Sequence, residues 1–116
     1  MSEPKAKTDD AHASAAEAFV DRLAERDLQG VEDVHLFGST VRGDASGLAS
    51  DVDFLVVVSD DADKPALEDE LRDLAYDVML EFGPVVEVHV LSRTAFERRR
   101  EHPFVRRVLR EGEAYV

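Results

Sequence analysis

The chain has 116 residues, of which 44% are hydrophobic and 34% are charged, and its net charge at pH 7 is −12. This length supports one domain with a single core and leaves no room for a separate substrate-binding domain. The negative charge argues against direct binding of nucleic acid, because phosphate groups would be repelled.

The composition also indicates where the protein works. No apolar run approaches the length of a membrane span, and the polar N-terminus lacks the hydrophobic region of a signal peptide. There is no cysteine, which excludes a disulfide framework and a thiolate zinc site. We therefore expect a cytoplasmic protein that has no contact with a membrane.

The order of predicted elements indicates an α/β (α+β) domain. We expect residues 1–10 to form a flexible tail and residues 11–116 to form a single domain. Helical and strand periodicities predict helices at 12–28, 65–82, 93–101 and 103–110, and strands at 31–37, 52–58 and 85–91, with a short edge strand near 114–116. The nearly continuous apolar run at 52–58 is typical of a central strand, so we expect a small mixed β-sheet with helices packed on one side.

Two aspartates lie at the start of this central strand. Asp51 and Asp53 are two residues apart, so on a strand their side chains point to the same face, roughly 6.5–7 Å apart. Two such carboxylates suit a hard cation such as Mg²⁺ and repel each other without one. The alternative is a solvated strand start with no ligand, and the pattern alone favours that simpler interpretation.

A glycine and a serine end the preceding strand. Gly38 and Ser39 would let backbone N–H groups approach an anion at the start of a helix. An ordinary turn with Ser39 as the helix N-cap explains the same pair. Glu87 is an acid within an apolar strand, where an unpaired carboxylate would be costly. It either completes a three-carboxylate site beside Asp53 or points into water from an edge strand.

The combination Gly38-Ser39, a basic helix, Ser50-Asp51-Val52-Asp53 and an apolar strand resembles the minimal nucleotidyltransferases (MNT) of the DNA polymerase beta superfamily. Members of this family often pair with HEPN proteins. The resemblance covers about 31–91, and the segment 102–115 is similar to small members as well. It implies the nucleotidyltransferase fold for this chain.

The resemblance also implies a role for each residue of the motif. Gly38 and Ser39 would hold the triphosphate of ATP or another NTP. Asp51 and Asp53 would bind two Mg²⁺ ions, with Glu87 as the third metal-binding and catalytic carboxylate. Arg42, one helical turn after Ser39, would face the phosphates, although a salt bridge to a nearby aspartate is nearly as well supported.

The function that this implies is transfer of AMP, or another NMP, to a hydroxyl of a partner protein. A HEPN toxin would be that partner and this chain its antitoxin; homo-oligomers are also compatible with the sequence. Two departures from the family pattern favour an alternative, an inactive antitoxin that neutralises its partner by contact. Eleven residues separate Ser39 from Asp51, one more than usual, and Glu87 stands where aspartate is commoner. A small-molecule modifier is disfavoured because a substrate domain is missing.

Three further features keep two interpretations each. His89 shares the face of Glu87, but a histidine there is more often solvated or structural than in contact with substrate. Tyr115 could accept a modification, although packing is the simpler role. Residues 93–110 hold seven arginines and two glutamates, a local net charge of +5, and form either a solvated surface or a docking surface for an acidic partner.

Overall fold

The protein is described by a computed structural model that covers residues 8–37 and 52–115. The predicted α/β class is confirmed. The elements, in chain order, are α1 (Thr8–Arg26), β1 (Val31–Phe37), β2 (Val52–Val58), α2 (Lys64–Phe82), β3 (Val86–Ser92), α3 (Arg93–Arg98), α4 (Pro103–Glu111) and β4 (Glu113–Ala114).

The four described strands form one mixed sheet in the order β3-β2-β1-β4. β1 runs antiparallel to β2 and to β4, whereas β2 and β3 are parallel and are connected through α2. β2 is therefore an internal strand, and every one of its residues except Asp53 is buried. A strand that is covered on both faces must be apolar on both, which is why 52–58 reads as an almost unbroken apolar run.

The two long helices cover one face of the sheet. α1 and α2 pack against each other, and Phe19 of α1 stacks on Phe54 of β2 with 4.4 Å between the ring centroids. Apolar residues recur every three or four positions along both helices, so each helix buries one stripe. The strands contribute Val34, Leu36, Val52, Phe54, Val56, Val58 and Val86 to the same core.

The opposite face of the sheet is covered by the two short helices. A smaller core there consists of Leu55, Val57, Phe96, Val105 and Val108. The prediction placed the helices on one side of the sheet. The two long helices do lie on one side, and α3 and α4 form a layer on the other. Each of these short helices has an apolar stripe of only one or two residues, so its sequence does not indicate which face of the sheet it covers.

The ends of α2 agree with the sequence signals. The side chain of Asp63 accepts a hydrogen bond from the backbone N–H of Ala66 at 3.2 Å, and Pro65 lies in the first turn. Gly83 follows the helix with a φ of 109°, in the region that favours glycine. Both ends therefore satisfy backbone groups that a helix terminus leaves unpaired.

Helix α1 differs more from its prediction. It begins at Thr8, inside the segment that we expected to be a tail, and it ends at Arg26 because Asp27 has a φ of 51°. Gly30 lies beyond the end of the helix. It has a φ of 97° in the turn before β1, and its carbonyl accepts a hydrogen bond from the N–H of Ser59 at 2.8 Å.

The short edge strand predicted at the C-terminus is confirmed as β4, at Glu113–Ala114. It pairs with His35 and Leu36 of β1, and the N–H of Tyr115 continues the pairing by donating to the carbonyl of Val34 at 2.8 Å. Within 8–37 and 52–115, no helix combines the length and the apolar character needed to cross a membrane.

Candidate active site

The predicted site residues fall into two groups. Asp53 and Glu87 belong to the described part of the chain, on β2 and β3. The other four lie outside the described residues: Gly38, Ser39, Arg42 and Asp51. The geometry of the site is therefore built from Asp53 and Glu87, and the phosphate cradle and the first aspartate stay predictions.

Asp53 is the second residue of β2 and the only member of that strand that is not fully buried. Alternation along the strand places its side chain on the same face as Leu55 and Val57. In the sheet register its neighbours are Phe37 on β1 and Glu87 on β3. Asp53 thus stands at the centre of a row across three strands, at the end of the sheet where β2 begins.

Glu87 lies directly beside Asp53, as we expected if the two strands were neighbours. Its side chain is 51% exposed, because β3 ends the described sheet. The valines of β3 turn toward the core while Glu87 and His89 face the opposite side. Both alternatives therefore describe part of its position, since Glu87 lies beside Asp53 and also on an edge strand with half of its side chain in water.

These residues form a group of potential metal ligands. One ligating atom from each of Asp53, Glu87 and His89 can be chosen so that all three lie within 4.8 Å of one another. Carboxylate oxygens and an imidazole nitrogen are donors that divalent cations accept in proteins. The residues present at this edge of the sheet therefore fit a divalent metal ion.

Two aromatic rings contact the imidazole of His89. His89 lies 5.9 Å from Phe37 and 5.6 Å from Phe104, measured between ring centroids, and the two phenylalanines are 5.4 Å apart with their rings nearly perpendicular. The two pairs that include Phe104 pack edge to face, and the rings of Phe37 and His89 are tilted by 44°. β1, β3 and α4 thus meet in one three-ring cluster that fixes the position of His89 beside the carboxylates.

A groove runs from this site along the outer edge of β3. It lies between β3 and α2, has a volume of about 520 Å³, and is lined by residues 86–89 together with Arg72, Asp73, Ala75, Tyr76 and Met79. Glu87 and His89 form part of its wall. A molecule that lay in the groove would therefore reach the carboxylate site.

One of the seven C-terminal arginines has a clear structural role. Arg93, at the start of α3, donates from Nε to Glu32 and from Nη2 to Asp33, both at 2.8 Å, so it joins α3 to β1. These hydrogen bonds raise the pKa of Arg93 above its usual value. Its neighbour Thr94 donates to Asp60, and this bond holds the pKa of Asp60 below its usual range.

The other arginines of the segment are more exposed to solvent. Arg100 pairs with Glu97 at 3.3 Å and Arg107 pairs with Glu111 at 3.6 Å, and both pairs join residues three or four positions apart in the sequence. With the described residues, no ion pair is formed by Arg98, Arg99, Arg106 or Arg110. Arg93 therefore belongs to the fold, and the choice between a solvated and a docking surface concerns the remaining six.

Tyr115 follows the last strand and is 39% exposed. Its hydroxyl donates to Glu113 at 3.2 Å. Partial burial and the negative charge of Glu113 raise the pKa of the Tyr115 hydroxyl, which keeps it protonated. These contacts hold the Tyr115 side chain beside β4.

Sequence reasoning missed the part that aromatic residues play in the site. Phe37 and Phe104 were assigned to a strand end and a helix start, and nothing in their spacing linked them to His89. The two-residue offset between Glu87 and His89 predicted that both lie on one face of β3, but it gave no indication of the aromatic neighbours. The contact with Phe104 depends on how α4 folds back over the sheet, which the sequence does not show.

Comparison with known proteins agrees with this geometry. Residues 16–115 match the model of the nucleotidyltransferase domain family, and the chain belongs to that family. It is 33% identical over 98 residues to the "putative protein adenylyltransferase" of Methanocaldococcus jannaschii. The matched region covers 84% of this chain and 91% of that relative.

Two solved structures share the fold. A "putative nucleotidyltransferase" from Sulfolobus solfataricus superposes with a TM-score of 0.52 at 20% identity, over 98% of this chain and 91% of that chain. A structure described as a toxin-antitoxin with AMP-PNP gives a TM-score of 0.57 at 22% identity, over 84% of this chain and 70% of that chain. These structures and the family match confirm the predicted nucleotidyltransferase fold. The family match and the Methanocaldococcus relative confirm the assignment of the chain as a nucleotidyltransferase.

Proposed function

We propose that this protein transfers AMP from ATP to a hydroxyl group of a partner protein. The observation that carries the proposal is the parallel pairing of β2 and β3, which sets Asp53 beside Glu87 at one edge of the sheet. The family supplies the reaction class, and the Methanocaldococcus relative supplies the acceptor class, since its name describes a protein adenylyltransferase.

In the proposed reaction an acceptor hydroxyl oxygen forms a bond to the α-phosphorus of ATP. The bond from that phosphorus to the bridging oxygen breaks, pyrophosphate leaves, and the hydroxyl proton passes to water. Two Mg²⁺ ions, when bound, would offset the negative charge on the entering and leaving oxygens. The protein would hold these ions through Asp53, Glu87 and Asp51, and would hold the triphosphate through Gly38, Ser39 and Arg42.

The proposed acceptor is a HEPN-type toxin, and this chain would be its antitoxin. The resemblance of the sequence to MNT proteins supports this pairing, and a toxin-antitoxin structure shares the fold. The groove between α2 and β3 supports a protein acceptor, because it is open and reaches Glu87 and His89. A flexible segment of the partner could lie there and present its hydroxyl to the carboxylates.

A second function remains in competition, that of an inactive antitoxin that blocks its partner by contact. The exposure of half of the Glu87 side chain favours it, since a solvated carboxylate binds metal less tightly than one in an enclosed site. This function requires the partner-binding surface but needs neither ATP nor Asp53.

The test is incubation of the full chain with ATP labelled at the α-phosphate, Mg²⁺ and the candidate partner. We expect label on the partner and a loss of at least about 100-fold in Asp53→Asn, since a metal ligand supports several kcal/mol of transition-state stabilisation. Asp77→Asn is the matched control, because Asp77 is exposed on α2 and outside the site. Inhibition of the partner without label transfer, equal in wild type and Asp53→Asn, would instead establish the contact mechanism.

A further inference from the structure

The histidine beside the two carboxylates suggests how this site selects its metal. His89 is two residues further along β3 than Glu87, opposite Leu55, and on the same face. Its Nε2 lies 3.9 Å from Oε1 of Glu87. That separation is too long for a hydrogen bond, so the contact between the two side chains is ionic at most.

The separation does suit a shared ion. Two ligands that each lie about 2.1 Å from one ion are at most about 4.2 Å apart. The ligating atoms of Asp53, Glu87 and His89 span no more than 4.8 Å, so small rotations of side chains bring all three into range. Such a rotation is available to Glu87, because 51% of its side chain is exposed.

The aromatic cluster makes the position of the imidazole reproducible. Phe37 and Phe104 contact the ring of His89 from β1 and from α4. Both phenylalanines also pack against the smaller core, so the imidazole rests on a well-packed part of the fold. Packing of this kind restricts the ring while its nitrogen stays beside the carboxylates.

We propose that His89 is a ligand of the metal ion bound by Asp53 and Glu87, and that it makes this position prefer Mn²⁺ to Mg²⁺. Mg²⁺ takes oxygen ligands and usually keeps several waters. Mn²⁺ also suits carboxylates, but it belongs to the first-row transition series, whose dications bind mixed nitrogen and oxygen sites, so one imidazole ligand favours it over Mg²⁺. The inference rests on the proposed function, because it concerns the same metal site. It changes the ion at one of the two positions from magnesium to manganese.

The test measures metal binding without ATP or an acceptor. Mn²⁺ is titrated into the full chain and the free ion is followed by electron paramagnetic resonance, with Mg²⁺ as competitor. The key variant is His89→Phe, which keeps a ring between Phe37 and Phe104 but has no ligand atom. We expect its Mn²⁺ affinity to fall by about tenfold or more and its Mg²⁺ affinity to change by less than about threefold.

Two controls make the result specific. Asp53→Asn should weaken both ions, and Asp77→Asn should weaken neither, which separates the site from general attraction to an acidic surface. A nuclear magnetic resonance experiment provides a second readout: at low Mn²⁺, the imidazole signals of His89 should broaden before those of His102. Equal losses of Mn²⁺ and Mg²⁺ in His89→Phe, or unchanged Mn²⁺ binding, would overturn the inference, and so would equal broadening of the two histidines.

The outcome is distinguishable from that of the proposed function. If AMP transfer depends on Asp53 but Mn²⁺ affinity is unchanged in His89→Phe, the metal preference alone is overturned. Mn²⁺ binding that depends on His89 in a protein that transfers no AMP would support the metal preference and remove the enzymatic function.

Discussion

The network around Arg93 leads to a quantitative prediction about the arginine-rich segment. Arg93 donates to Glu32 and Asp33 on β1 and pairs with Glu97 one turn further along α3 at 3.3 Å. Replacing it in Arg93→Met retains an aliphatic chain that can pack on Phe96 but leaves the two β1 carboxylates without their cation. We expect a substantial loss of stability from this one change.

The size of the loss follows from exposure. The side chains of Arg93, Glu32 and Asp33 are 33%, 37% and 29% exposed. Each of the two short bonds therefore lies between a fully exposed ion pair and a buried hydrogen bond to a charged group. Exposed ion pairs contribute about 0.2–1 kcal/mol and hydrogen bonds to charged groups about 1.5–3 kcal/mol. With about 1 kcal/mol for each bond and a few tenths for the pair with Glu97, the loss is about 2 kcal/mol, or on the order of 8 °C in Tm.

Urea denaturation followed by circular dichroism measures this loss. Arg98→Met is the matched control, because Arg98 is on the same helix and forms no ion pair with any residue in 8–37 or 52–115, so its change should stay within about 0.5 kcal/mol. Arg93→Lys should be intermediate, since an ammonium group cannot bridge two carboxylates as a guanidinium does. Equal stabilities of Arg93→Met and Arg98→Met would refute the structural role of Arg93.

Three further predictions concern stability and acceptor binding. Burial lowers the pKa of His35 below its usual 6.5, so protonation of the imidazole favours the unfolded state. The free energy of unfolding should therefore fall as pH decreases below about 6.5, and it should fall less in His35→Phe. Gly30→Ala should cost about 2–3 kcal/mol in urea denaturation, because the φ of Gly30 is 97° and an added Cβ would lie 2.7 Å from that of Ala62. Tyr76→Ala should reduce AMP transfer to the partner by about tenfold without changing ATP binding, because Tyr76 lines the groove beside the site.

Each of these has its own control. A pH profile of His35→Phe parallel to that of wild type would show that burial of the imidazole is unimportant. Gly83→Ala shares the positive φ of Gly30 but has nothing within 4 Å of the added Cβ, so equal losses at the two positions would exclude the clash with Ala62. Leu80→Ala removes an apolar residue that is exposed on α2 outside the groove, and the same loss of transfer there as in Tyr76→Ala would contradict a specific groove.

The elements with strong periodicity could be predicted from the sequence. β2 is apolar on both faces because it is covered on both, and α2 carries a continuous stripe with recognisable ends, so their bounds agree with the structure to within one residue. The adjacency of Asp53 and Glu87 was also accessible, since a strand, a helix and a strand in sequence usually pair in parallel.

The environment of Glu87 could not be predicted in the same way. Whether a strand is internal or at an edge depends on the order of pairing, and β3 has alternating valines that suit either position. The three-ring cluster around His89 likewise depends on where α4 returns to the sheet. Both features come from tertiary contacts, which leave no periodic trace in the local sequence.

The pairing of β4 with β1 makes the two margins of the sheet unequal. On one side the C-terminal residues already occupy the hydrogen-bonding groups of β1, whereas β3 has a single neighbour among the described strands. An incoming strand, whether from a second copy or from a partner, would find its backbone partners along β3, next to Glu87 and His89. Assembly through sheet extension would therefore compete with an acceptor for the same place, so the quaternary state of the protein and its catalytic access would be coupled.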